Sequence, residues 1–157
     1  MKVKLLVVGK TEDHYLEQGI DKYVKRLSHY ISFEILYLSD IKSGGKMSPE
    51  KLKEEEGKLI LSKIKQGDYV LLLDEQGKSL SSVEFAQAMQ KKMNASVTTM
   101  LFVIGGAFGF SPEVYQRANE KLALSKMTFS HQMIRLLFVE QLYRAYTIIK
   151  GEKYHHQ

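Results

Sequence analysis

The chain opens on an unbroken apolar run, Val3 to Val8, that stops at Gly9, the pattern of a strand covered on both faces. Leu16, Ile20, Tyr23, Val24 and Leu27 then recur at helical spacing across Glu12 to Tyr30, so a helix follows the strand. Phe33, Ile35 and Tyr37 alternate with Glu34 and Leu36, which predicts a second strand running out into a polar, glycine-bearing loop from Ser39 to Lys46. Ser48-Pro49 supplies an N-cap and a first-turn proline for a helix with an apolar stripe of Leu52, Leu59, Ile60 and Ile64 and a charged, solvated opposite face. Gln66-Gly67 stops that helix. Tyr69 to Leu73 is a short apolar strand, and Ser81 with Glu84 forms a capping box ahead of a helix through Phe85, Ala88 and Met89.

The same alternation continues to the end. Thr98 to Ile104 is a buried strand, Gly105 to Phe110 a glycine loop, and Ser111-Pro112-Glu113 the start of a helix through Val114, Tyr115 and Ala118. Leu122 to Met127 is short and apolar and predicts the last strand. Ile134, Leu137, Phe138, Leu142, Ala145 and Ile149 mark a long amphipathic helix from His131 to Lys150, ended by Gly151. Strands alternating with helices imply an α/β fold with a mainly parallel sheet of five to six strands and helices on both faces, in one domain over residues 1–157. A ligand site in such a sheet lies beyond the carboxyl ends of the strands. That points to three loops: Asp74 to Leu80, Gly105 to Phe110, and Thr128 to His131.

Composition narrows the chemistry. With 44% apolar residues over 157 positions the chain can bury a real core as a single unit. The opening apolar run is too brief for a signal or membrane segment, so a cytoplasmic location is expected. No cysteine occurs, which removes disulfides, thiolate metal sites and a cysteine nucleophile together. A formal net charge of +5 favours polyanion partners without requiring them. The pair His155-His156 lacks the carboxylate or cysteine company that a metal site needs, so no metal is expected.

The motifs are individually modest. Gly77-Lys78-Ser79 resembles the end of a phosphate-binding loop, but Leu72 stands where that motif needs its first glycine. Asp74 and Glu75 read as solvated turn residues at a strand end. Gly105, Gly106 and Gly109 do not have dinucleotide-fold spacing; they suit either a tight turn or a close approach of ligand to backbone. Glu140 and Arg144, four apart on one helix, read first as an ordinary ion pair; His131 and Arg135 share that spacing, with His131 at the start of the helix.

Order and spacing together say more. The run Leu124-Ser125-Lys126-Met127-Thr128-Phe129-Ser130-His131-Gln132-Met133-Ile134-Arg135 follows the glycine loop and precedes Glu140-Gln141-Leu142-Tyr143-Arg144-Ala145 and Tyr154-His155. This arrangement, with the opening Val-Val-Gly-Lys, resembles the RlmH family of SPOUT-class methyltransferases over essentially the whole chain. One departure is that the family usually carries proline where this chain has Ser130.

The resemblance implies a C-terminal trefoil knot and an S-adenosylmethionine site formed by Leu73, Gly105 and the segment Leu124, Ser125, Lys126, Met127, Thr128 and Phe129. Without it, Leu124, Met127 and Phe129 would be read as plain core. It also implies a homodimer acting on 23S rRNA in the ribosome, at N3 of a pseudouridine, with the tail of one subunit completing the site of the other; neither DNA nor a membrane is an expected partner. Arg144 would stabilise charge on the flanking carbonyls, His155 accept a proton, Tyr154 stack or hydrogen-bond, and Glu140 orient Arg144. The absence of cysteine agrees with a nitrogen acceptor, since methylating pyrimidine carbon-5 usually proceeds through a cysteine adduct. The competing expectation is a non-enzymatic RNA-binding or ribosome-associated factor, which the basic charge permits equally.

Overall fold

The computed structural model describes residues 1–41 and 45–156. Its strands β1 (Lys2–Val8), β2 (Ser32–Leu38), β3 (Tyr69–Ser79), β4 (Thr99–Ile104) and β5 (Glu120–Ala123) form one sheet in the order β2-β1-β4-β3-β5, with every pairing parallel. The helices are α1 (His14–Leu27), α2 (Pro49–Lys63), α3 (Ser82–Asn94), α4 (Pro112–Arg117) and α5 (Met133–Ile149). Successive strand side chains point to opposite faces, so each apolar run feeds two cores. Val3, Leu5 and Val7 with Phe102 and Ile104 pack against Ile20, Phe85, Met89, Phe138 and Leu142 of α1, α3 and α5. Leu6 and Val8 with Leu101 and Val103 pack against Ile60 and Val114 of α2 and α4. The expected α/β architecture with helices on both faces is what forms, and the sheet has five strands.

The caps behave as their chemistry dictates. Ser48 accepts from the Lys51 amide, Ser111 from the Val114 amide, and Ser81 with Glu84 closes a reciprocal capping box at α3. Part of the Ser39–Lys46 loop lies outside the described residues. Tyr37, expected on the buried face of the second strand, is 50% exposed, because β2 is an edge strand that buries Leu38 instead.

Two departures shape the site. The predicted loop from Asp74 is largely strand: β3 pairs with β5 at Leu73, slips, and pairs again at Lys78, both times opposite Leu122. Gly77 permits this return, because a Cβ there would sit 2.6 Å from the Lys121 carbonyl carbon and 2.7 Å from the Leu122 amide. The last strand is also shorter than expected, ending at Ala123 rather than Met127. From Leu124 the chain leaves the sheet, and the Ser125 hydroxyl accepts from the Met127 amide at 2.9 Å to hold a turn. Ser130 takes the place of the family's usual proline with a gain: its hydroxyl accepts from the Met133 amide at 3.0 Å and its carbonyl from the Ile134 amide, capping the entry to α5.

Arg135 is the least expected residue of the core. It is 1% exposed and donates to the Val8 carbonyl at 2.8 Å, the Gly9 carbonyl at 2.9 Å, the Thr11 hydroxyl at 3.2 Å and the His131 carbonyl at 3.1 Å. Its spacing from His131 therefore serves a side-chain-to-backbone bond. Gln132 adds bonds to the Lys10 carbonyl and the Glu12 amide, so the turn after β1 is stitched to the start of α5. Arg135→Met leaves these buried carbonyls unpaired and should cost about 3 kcal/mol. Urea unfolding checks this, and a loss within error would deny the guanidinium its structural role.

Candidate active site

The carboxyl ends of β3, β4 and β5 open on a cavity of about 570 Å³, within the size range of small-molecule sites. The turn Gly105–Phe110 forms one wall and the segment from Leu124 to His131 another, with Leu73 and Leu122 between them. Of the eight positions singled out for the cofactor, Leu73, Gly105, Leu124, Ser125, Met127, Thr128 and Phe129 line this space; Lys126 is exposed and does not. Met127 is 75% and Phe129 40% exposed, so neither is core. Both are apolar side chains held at a cavity rim.

The glycines of the first wall have distinct reasons. Gly109 has φ +83°, a conformation L-residues rarely adopt, and its amide bonds the Gly106 carbonyl at 3.2 Å. A Cβ on Gly106 would lie 2.6 Å from both carboxylate oxygens of Glu56. Glu56 sits on the helix face read as solvated, yet it is only 7% exposed. Burial, reinforced by Asp40, pushes its carboxyl above the ordinary range. The signal that could have found it is the neighbouring Gly57. Glycine inside a helix costs about 1 kcal/mol relative to alanine, and here a Cβ would meet the Ser111 hydroxyl at 2.4 Å. Close packing of α2 under the glycine turn explains both residues.

The four candidate catalytic residues form one hydrogen-bonded group. Glu140 Oε1 accepts from Arg144 Nη2 at 2.6 Å, from Arg144 Nε at 3.1 Å and from the Tyr154 hydroxyl at 3.0 Å. Arg144 Nη1 and His155 Nδ1 are 3.1 Å apart, and the guanidinium lies 4.7 Å from the Tyr154 ring centre. Burial, then bonds with Tyr23 and Glu140, push the Tyr154 hydroxyl upward, keeping it a donor at neutral pH. Tyr154 and His155 are thus packed against α5.

This group is set apart from the cofactor cavity. Ile134 lines that cavity, and Arg144 lies ten residues further along α5, about 15 Å at the helical rise. A second cavity of about 370 Å³ adjoins the first through Leu122, Leu124, Ser125 and Phe129 and reaches Glu140. Along it the Ser82 hydroxyl donates to Gln141 Oε1 at 2.8 Å, and Gln141 Nε2 to Glu140 Oε2 at 3.0 Å. Neither Ser82 nor Gln141 carried any signal in the sequence, since two helices distant in the chain bring them together.

A family model described as "Predicted SPOUT methyltransferase" matches residues 1–155. The chain belongs to this family. Among its relatives, the Ribosomal RNA large subunit methyltransferase H of Flavobacterium psychrophilum is 54% identical over 157 residues, the whole of both chains. That of Cytophaga hutchinsonii is 55% identical over 156 residues, 99% of this chain and all of its own. That of Parabacteroides distasonis is 50% identical over the full length of both. SPOUT methyltransferases use S-adenosylmethionine as methyl donor, and the cavity fits it: apolar Leu73, Leu124 and Ile134 can face an adenine, and the backbone at Gly105 lies open to its polar edge.

Glu56 yields a pH test. Because its folded pKa lies above the ordinary 4.5, the stabilisation it lends is complete below that value and is lost as pH rises through the folded pKa. Near neutral pH its buried charge opposes folding. Glu56→Gln should therefore raise stability near neutral pH, with no gain below pH 4.5, as read by thermal melts across pH.

Proposed function

We propose that this chain is a cytoplasmic ribosomal RNA methyltransferase that transfers a methyl group to N3 of a pseudouridine in a 23S rRNA hairpin, working as a homodimer. The observation that carries this is the pairing of a nucleoside-sized cavity with a hydrogen-bonded Arg144, Glu140, Tyr154 and His155 group one cavity away. Among the described residues no helix is long and apolar enough to cross a membrane. The trefoil knot implied by the family resemblance belongs to the same proposal.

Bound S-adenosylmethionine supplies a methyl group on a sulfonium whose sulfur departs neutral, so no acid is needed for the leaving group. The chain's own residues must position the base, exclude water and deal with one proton. A uracil-like imide nitrogen becomes nucleophilic as its N–H proton leaves, and charge then spreads onto the flanking carbonyls. Arg144, aimed by two bonds to Glu140, is the cation for those oxygens. His155 accepts the imide proton, and the Tyr154 ring offers a stacking surface.

Tyr154 and His155 line neither cavity of their own chain. A twofold partner would resolve this by laying each tail over the other subunit's cofactor cavity. Mass mapping of ribosomal RNA from a strain lacking the gene, before and after complementation, tests the substrate; an unchanged pseudouridine fragment would refute it. Arg144→Ala should lower methyl transfer by about a thousandfold, a typical loss for a transition-state charge donor, while cofactor affinity by calorimetry stays within about twofold. Truncation after Gly151 should remove activity, and mixing truncated chains with Arg144→Ala chains should leave it absent, since both lesions lie in the same group.

A further inference from the structure

The cofactor cavity has a charge opposite in sign to the molecule that holds it. The protein carries +5, yet among the described residues no lysine or arginine lines this space, while Asp74 and Glu75 both do. The sequence suggested solvated turn carboxylates; Glu75 is indeed exposed, and with the slip of β3 against β5 both acids line the cavity. Asp74 is half-buried and accepts from the Tyr115 hydroxyl and from the Gln76 amide at 2.9 Å. Glu75 accepts from the Thr128 hydroxyl at 2.5 Å, which ties β3 to the Leu124–His131 wall. These partners are neutral, and neither carboxylate belongs to an ion pair among the described residues. Hydrogen bonds from hydroxyls orient the two acids without cancelling their charge, so their field extends into the cavity.

A negative cavity in a basic protein discriminates by ligand charge. S-adenosylmethionine carries one net positive charge: sulfonium and ammonium against carboxylate. In methyl transfer the carbon–sulfur bond breaks with its electron pair left on sulfur, the methyl forms its new bond to the base nitrogen, and the imide proton passes to the protein base. The product, S-adenosylhomocysteine, is then electrically neutral. We infer that Asp74 and Glu75 are specificity residues that make the cavity hold the sulfonium donor and let go of the thioether product. The inference rests on the family's cofactor and is independent of which RNA nucleotide is methylated.

Calorimetric titration of Asp74→Asn, Glu75→Gln and the double variant tests it, with three ligands: S-adenosylmethionine, S-adenosylhomocysteine, and sinefungin, whose amine restores positive charge where the product has none. Both substitutions keep the shape and one acceptor oxygen: at position 74 that oxygen can still take the Gln76 amide while the new amide nitrogen donates to the Tyr115 hydroxyl, and at position 75 it can still take the Thr128 hydroxyl. The double variant should bind S-adenosylmethionine and sinefungin about tenfold more weakly and S-adenosylhomocysteine less than twofold more weakly. Equal weakening of all three overturns the inference, because the acids would then be holding a part common to donor and product; unchanged affinities overturn it as well. Unmodified protein gives a second measurement: its preference for donor over product should shrink as sodium chloride is raised, and a salt-independent preference argues against a charge origin. Unmodified protein that binds none of the three would instead sink the cofactor assignment itself.

Discussion

A guanidinium buried with no carboxylate against it sits where β1 ends, and the cavity depends on it. Placing such a charge in an apolar interior is costly unless most of its donors are met, and Arg135 meets the cost with three carbonyls and the Thr11 hydroxyl. Those carbonyls belong to two places far apart in sequence: Val8 and Gly9 at the end of the first strand, and His131 at the end of the segment that walls the cavity. Holding both fixes how the Leu124–His131 segment leaves the sheet and where α5 begins. Carbonyls suit this task better than a carboxylate would, because they belong to the backbone and their positions are those of the strand and loop themselves.

The alternation of apolar runs and helical stripes made most of the fold legible. β1 and β4 are interior strands of a parallel sheet, so their sequences are continuously apolar, and the serine caps at 48, 81 and 111 stand at the helix starts they announced. What could not be read was decided by backbone meeting backbone. The slip of β3 depends on Gly77 passing within contact distance of residues 121 and 122, and nothing local in Asp74 to Ser79 distinguishes that from a turn. Residues Leu124 to Met127 are apolar enough for a strand; they leave the sheet because the adjacent edge of β3 has already returned to pair with β5 at Lys78 and Ser79. Glu56 was hidden for a related reason, since an acidic residue among Glu54, Glu55 and Lys58 looks solvated until the glycine turn is placed over it.

The candidate site residues were named by resemblance, and the fold groups four of them. No periodicity relates Glu140 to Tyr154, yet the chain reverses after Gly151, at φ +69°, and lays the tyrosine ring back against Arg144 and Tyr143. Tyr23 of α1 completes the packing from the opposite end of the sequence. The aromatic cluster explains why the polar tail over residues 151–156 is held in place: Tyr154 contributes a half-buried ring on one side and a hydroxyl bond to Glu140 on the other.

The charges are then sorted by function along a short path. A polyanionic substrate is drawn by the net positive surface, but the same attraction inside the donor cavity would favour phosphate-bearing nucleotides over a sulfonium. Among the described residues no lysine or arginine lines that wall while Asp74 and Glu75 do, which under our inference separates the two tasks. Arg144, the cation we propose for the acceptor base, stands at a distance and is clamped by Glu140. In a chain of this size, sorting of that kind needs a rigid spacer. α5 provides it: one end at the cavity wall through Ile134, the other carrying Arg144, with Arg135 fixing the helix to the sheet near its start.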